Sequence, residues 1–323
     1  MGDIHCMNVT FDFREDSTFS SKIIHIVEHG GKGTIRKLVS PLALNGEQLI
    51  LSTEGLRNIS LYKNAKYVLH ITTHIYPVIS ELESLLMKNI NISIFFHVGP
   101  MCYEIKNKLG TLSKISILQK KYRLKCFCPS NQISIKFKEY GIDVIAIQMG
   151  IPMFDVSATI DCNEKYKNKI ITVCTNADPR YIHIKGVDYF ANLMEMTNNK
   201  SNALILGFKG EYRGIPCLRM ETDEFLNVLK NAKMYIQLSR TESYNVTAIQ
   251  AKRLRVPIIV SNVDGHIDCM KNPINRVDTL VEACNLMKVY EECGNSVANE
   301  NYYDSLEREN LEMFVTSIKE NLM

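Results

Sequence analysis

The chain holds 323 residues, 46% hydrophobic and 23% charged, with 38 Lys and Arg against 35 Asp and Glu. That length suits two domains of roughly 100 to 200 residues rather than one core, and the composition excludes a disordered or fibrous chain. A net charge of +3 is too small to draw nucleic acid or membrane by whole-molecule attraction, so no nucleic-acid partner is expected.

In chain order, the opening "MGDIHCMNVTFDFRED" carries acids and no long apolar stretch, so it does not read as a secretory signal. No apolar run is long enough to span a bilayer, and a cytoplasmic location is expected. Strands are predicted at "KIIHIV", "QLILST", "KYVLHIT", "ISIFFHV", "KCFCPS" and "DVIAIQ". Stretches of helical spacing such as "GTIRKLVSPLALN" and "PVISELESLLMKN" lie between them. This alternation implies parallel strands joined by helices. The basic run "QKKYRLK" at 119–125 reads as a solvated helix end. Ten cysteines follow no metal or redox spacing and read as reduced, mostly buried thiols.

Periodicity lapses near 151–168 and then restarts with "KIITVCT", "NALILGF", "IPCLRM", "KMYIQLS" and "VPIIVSN". The expected architecture is α/β, two facing Rossmann-like doubly wound domains with an interdomain cleft, over residues 1–155 and 156–323. The tail from Tyr302 to Leu322 reads as a final amphipathic helix. In doubly wound sheets ligands sit beyond the carboxyl ends of the strands, so the loops after the strands are where chemistry is sought.

Several of those loops carry suitable residues. "GGKGT" places Gly31 ahead of a predicted helix, where backbone could approach an anion closely, although a plain tight turn explains it equally. "DPRYIHIKG" sets Arg180 and Lys185 five residues apart in a loop leading to a helix, a pairing able to neutralise a diphosphate without a metal. "RTESYN" brings Glu242 just ahead of the next helix, with Ser243, Tyr244 and Asn245 at its start, and Gln250 comes eight residues after Glu242, about two turns on. The bland alternative makes Glu242 a helix-dipole charge and Gln250 a surface residue.

Together, "RYIHIKGVDYF", "NALILGFKG", the block from "EFLNVLKN" to "VSNVDGHID" and, in the first half, "KIIHIVEHGGKG" and "ISIFFHV" resemble glycosyltransferase family 4, retaining enzymes with the GT-B fold, over nearly the whole chain. The resemblance implies a nucleotide-sugar donor held mainly by the second domain, no further cofactor and no metal. Its acceptor, carbohydrate, lipid-linked or protein, would be held mainly by the first domain, and the resemblance leaves peripheral membrane contact open. By position Arg180 and Lys185 would bind the donor diphosphate, and Glu242 the sugar hydroxyls. Ser243, Tyr244 and Asn245 would lie near sugar and phosphate, Gly31 beneath the diphosphate, and His97 beside the transferred sugar. Gln250 stands where the family's E-x7-E pattern has its second glutamate, which replaces a charged acceptor by a neutral amide. A nucleotide-sugar epimerase and a binding protein that has lost catalysis are the competing readings.

Overall fold

A computed structural model describes residues 23–27, 48–52, 65–72, 76–147, 164–270, 273–293, 316–317 and 320–321. Gly31, the predicted helix "GTIRKLVSPLALN", the junction between the two predicted domains and most of the predicted last helix lie outside them.

Two sheets make up the frame. The first contains β1 (Ile23–Val27), β2 (Gln48–Ser52), β3 (Lys66–Ile71), β4 (Asn91–Phe96), β5 (Lys125–Cys128) and β6 (Ile145–Ala146), in the order β2-β1-β3-β4-β5-β6. Every pairing in it is parallel. Helices α1 (Tyr76–Met87), α2 (Pro100–Ile105), α3 (Leu109–Tyr122) and α4 (Asn131–Lys138) fall in the connections. β1 is buried at all its positions, as a parallel strand covered on both faces requires.

The second sheet contains β7 (Ile170–Val173), β8 (Ala203–Leu206), β9 (Gly210–Tyr212), β10 (Ile215–Leu218), β11 (Met234–Gln237), β12 (Ile258–Ser261) and β13 (Arg276–Val277). Their order is β13-β12-β11-β7-β8-β10-β9. Only β9 runs antiparallel, against β10. Its helices are α5 (Pro179–Ile184), α6 (Val187–Met196), α7 (Thr222–Lys230), α8 (Val246–Arg253), α9 (Asp264–Cys269) and α10 (Leu280–Cys293). Four of these elements differ from the sequence expectation: β9 and β13 are too short to show periodicity, and α5 and α9 stand where loops are expected. Asp178 accepts from the Arg180 N–H and Pro179 fills the first helical position, a start signal present in "DPR".

In each sheet the parallel strand order switches sides once. In the first the chain turns back between β1 and β3, in the second between β7 and β11. Apolar side chains fill both faces: one buried cluster holds Ile24, Leu69, Phe96 and Phe137 in the first lobe, and another holds Phe190, Met194 and Ile236 in the second. A third cluster draws on both lobes, from Phe95 and Phe127 to Tyr235 and Val260.

The run "QKKYRLK" spans the end of α3, the turn at Arg123 and Leu124, and the first residue of β5. Lys120 and Lys121 lie in the last helical turn, Lys121 pairs with Glu83 at 3.1 Å, and Arg123 closes the helix in the left-handed region. Cys126, Cys128, Cys174, Cys217 and Cys269 are buried free thiols, and burial pushes the Cys128 thiol up to about 12. Among the described residues no helix is long and apolar enough to cross a membrane.

Candidate functional site between the lobes

The carboxyl ends of the two sheets meet. Gly99, just past β4, donates its N–H to Ser243 Oγ at 2.7 Å, beyond β11. Ser130, past β5, donates to Asp268 of α9 at 2.5 Å, and the Gln132 N–H reaches the same carboxylate oxygen at 3.3 Å. Lys136 pairs with Asp264 at 2.8 Å. Since all of these residues come after strands, the seam they form is the place where doubly wound sheets hold ligands.

At the second sheet's reversal point, α5 comes after β7 and the "RTESYN" turn after β11. Lys185, the residue that closes α5, meets Glu242 there, Nζ to Oε2 at 2.6 Å. Burial pulls the Lys185 ammonium down, but the Glu242 charge and hydrogen bond more than offset it, and the net direction is up. Glu242 is the mirror case: burial raises it, and Lys185 together with His266 carries it below the usual range. Both groups are therefore charged at neutral pH. Lys185 spends one N–H on Glu242, which leaves two donors on a side chain still 26% exposed.

Gln237 fixes this pair from below. It lies inside β11, where an amide would be costly unless satisfied. Its Nε2 donates to the Lys185 carbonyl at 2.6 Å and to Ser239 Oγ at 3.2 Å, while its Oε1 accepts from the Val173 N–H at 3.3 Å.

Asn245 caps α8, its Oδ1 accepting from the Ala248 N–H at 2.9 Å. His266 holds that cap in turn. Its Nδ1 lies 3.0 Å from the Ser261 carbonyl, which can only accept, so Nδ1 carries the proton and Nε2 accepts from Asn245 Nδ2 at 2.8 Å. Burial lowers His266 to about 4, against the opposing pull of Glu242, so the ring is neutral. Gly265 lets α9 come this close: its N–H donates to the Glu242 carbonyl at 2.7 Å, and a Cβ there would stand 2.2 Å from the Ser243 carbonyl oxygen.

The expected site residues divide into two groups. Lys185, Glu242, Ser243 and Asn245 come together, and Tyr244 is buried in the same turn. Gln250 is 8% exposed, not the surface residue of the bland reading. Arg180 does not join them. It lies in the first turn of α5, not in a loop, with its guanidinium engaged by Asp178 at 2.8 Å and by the Ile105 carbonyl across the seam at 2.8 Å. His97 extends β4 at the seam on the first lobe, two residues from the Gly99 contact.

A cavity of about 770 Å³ opens past the ends of β7, β8 and β10, lined by Thr175, Asn176, Gly207, Phe208, Arg219 and Glu221 among others. Sequence reasoning misses Gln237, His266, Gly265 and the two aspartates of α9. "VDGHID" holds a signal for the last four, since a Gly beside a His and two acids just after a strand is an unusual start for a helix.

Solved structures share this fold. Sucrose-phosphate synthase from Thermosynechococcus elongatus superimposes with a TM-score of 0.61 at 13% identity, over 94% of this chain and 96% of that one. HepE from Anabaena, solved in complex with UDP and glucose, gives 0.58 at 11% identity over 94% and 98%.

The chain has the GT-B fold.

A glycosyltransferase from Rickettsia africae matches it likewise, with a TM-score of 0.56 at 13% identity over 93% and 97%. The sequence matches no family model and no curated protein.

Proposed function

We propose that this GT-B chain is a glycosyltransferase that moves a sugar from a nucleoside-diphosphate donor to an acceptor hydroxyl. The observation that carries the reading is the charged Lys185–Glu242 pair at the reversal point of the second sheet, beside the capped start of α8. The complex of HepE with UDP and glucose supports the same donor chemistry.

In this reading Lys185 turns its two remaining N–H donors to the diphosphate, and the positive end of α8 adds to the field. As the sugar–phosphate bond breaks, negative charge grows on the leaving diphosphate, and a fixed cation there stabilises the transition state more than the ground state. Glu242 accepts from the sugar hydroxyls while it keeps Lys185 oriented. Ser243 and Tyr244 shape the turn beneath the sugar, and Asn245 holds the helix start in place. Gly31 would lie beneath the diphosphate. The cavity past β7, β8 and β10 takes the nucleoside, and Gln250 meets the ribose as a neutral partner. Arg180 stands at the mouth and must leave Asp178 to reach a phosphate. With a departing phosphate able to take the acceptor's proton, the transfer needs no carboxylate nucleophile, and retention without a metal ion is the expected course.

Gln250 favours a second reading, a donor-binding protein of low turnover, because a neutral amide gives up about 1 to 3 kcal/mol if a charged hydrogen bond is lost. Incubating the protein with nucleotide-sugars and candidate acceptors in the presence of a chelator, with NMR of the product's anomeric centre, separates the two. Transfer with retained configuration is expected. Replacement of Lys185 by Gln, which still hydrogen-bonds Glu242 but lacks the charge, should lower kcat by about 100-fold or more. Binding without transfer, or transfer unaffected by Lys185→Gln, refutes this reading.

A further inference from the structure

Three histidines cross the first sheet in a row. His25 on β1, His70 on β3 and His97 after β4 lie on neighbouring strands. His25 Nδ1 is 2.8 Å from His70 Nε2, and His70 Nδ1 is 2.8 Å from His97 Nε2. Successive ring centroids are 5.1 Å apart, with tilts of 37° and 34°. His25 is fully buried and His70 is 1% exposed. His70 engages its neighbours through opposite nitrogens, so the lone pairs do not converge on one point as a metal ion would require.

Burial, with His97 and His25 adding to it, holds His70 well below its ordinary value, and burial lowers His97 to about 3. His70 and His97 are thus neutral, and a neutral imidazole has one N–H and one acceptor nitrogen. Because His70 uses both, it must donate to one neighbour and accept from the other. Only two arrangements satisfy the row. Either His70 donates to His97 Nε2 and the far nitrogen, Nδ1, bears the proton, or His97 donates from Nε2 and Nδ1 is a bare acceptor. Any mixed arrangement leaves a buried hydrogen bond unmade, which costs the desolvation of the orphaned group.

We infer that His70, backed by His25, is a positioning residue that orients the His97 ring and ties its tautomer to that of the whole row, so that Nδ1 takes the hydrogen-bonding character that the buried end of the row sets. His97 is only half-buried, and Nδ1 makes no hydrogen bond to a described residue. The inference rests on the reading of the cleft as a sugar-transfer site for its consequence, though not for its geometry. A hydroxyl of the sugar or the acceptor can donate and accept. A His97 of fixed tautomer selects one of those orientations before binding, which removes an ordering step from the transition state.

Long-range proton–nitrogen NMR of histidine-labelled protein, recorded without donor or acceptor, tests the row itself. The wild-type His97 ring should show two well-separated nitrogen shifts, the mark of a single tautomer, and His70→Phe should bring them toward a common averaged value. If His70→Phe does not fold, His25→Phe serves, since it removes the buried end that sets the row and should average His97 in the same way. A wild-type His97 already in mixed tautomers, or one unchanged when the row is cut, overturns the inference. In a transfer assay His70→Phe should lower kcat roughly 100-fold with little change in the KM for donor. Because the spectra need no turnover, an averaged His97 in a protein that transfers no sugar would sink the functional reading alone.

Discussion

His266 shows how much one side chain can govern at this site. Its neutral ring joins Ser261 to Asn245, and through Asn245 it sets the start of α8. Neutrality ties that arrangement to pH. A histidine whose folded value lies below its unfolded one binds its proton first in the unfolded chain, so stability is complete above about 6.5 and falls as pH drops towards the folded value. His266, lowered to about 4 by burial, and His70, held well below its ordinary value by burial and its neighbours, both act in this sense. Glu242, held below the usual carboxylate range, adds a loss of the same sign under more acid conditions. Urea unfolding at pH 7.5 and 5.5 should show stability lower at pH 5.5 by about 1.4 kcal/mol from His266 alone, with His70 and His97 adding losses of the same sign. Equal stability at both would mean that the rings are protonated in the folded protein. None of this is legible in the sequence. A histidine in "VDGHID" or "KYVLHIT" has no local feature to say that it will be walled in by neighbouring strands.

At the level of elements, α9 is a short helix with two duties. Its backbone presses on the Glu242–Ser243 turn through Gly265, and its aspartates hold α4 of the other lobe. Gly265→Ala places a carbon 2.2 Å from a carbonyl oxygen, so the turn must move. A loss of about 1 to 3 kcal/mol in denaturant unfolding is expected, together with lower turnover. Wild-type values in both would show that the backbone gives way at no cost. Asp268 accepts from Ser130 and from the N-terminal backbone of α4, a charged group against a helix start. Asp268→Ala should weaken the seam, visible as a larger radius of gyration in solution scattering, and an unchanged radius would place the hold elsewhere. The strands and most of the helices around these contacts are legible in the sequence, because "KIIHIV" and "KMYIQLS" are continuous apolar runs that only a covered parallel strand explains. The role of α9 as a bridge is not, since which helix faces which across two lobes is not written in the period of either.

For the whole molecule, two lobes meet at their strand ends, with the charged Lys185–Glu242 pair on the second-lobe side. A nucleoside diphosphate that binds the folded chain alone must raise its melting temperature, by the equivalent of about 2.7 kcal/mol at a hundredfold excess over Kd. Scanning calorimetry with nucleoside mono- and diphosphates should show the larger shift for the diphosphates, and Lys185→Gln should diminish it. Equal shifts for both, or none, would remove the diphosphate from the cleft.

The order of amino acids is enough to specify the two parallel sheets, the strand ends where ligands would sit, and the acid at the mouth of "RTESYN". Each of these comes from local periodicity or from one residue's place after a strand. Folding in three dimensions is needed to establish that Lys185 meets Glu242, that Arg180 is held by Asp178 and the other lobe, and that three histidines form a row. Those are pairings between residues up to 57 positions apart for the ion pair and 75 for the Arg180 contact. They depend on strand order and lobe docking, which hydrophobic burial over the whole chain settles and no local pattern records.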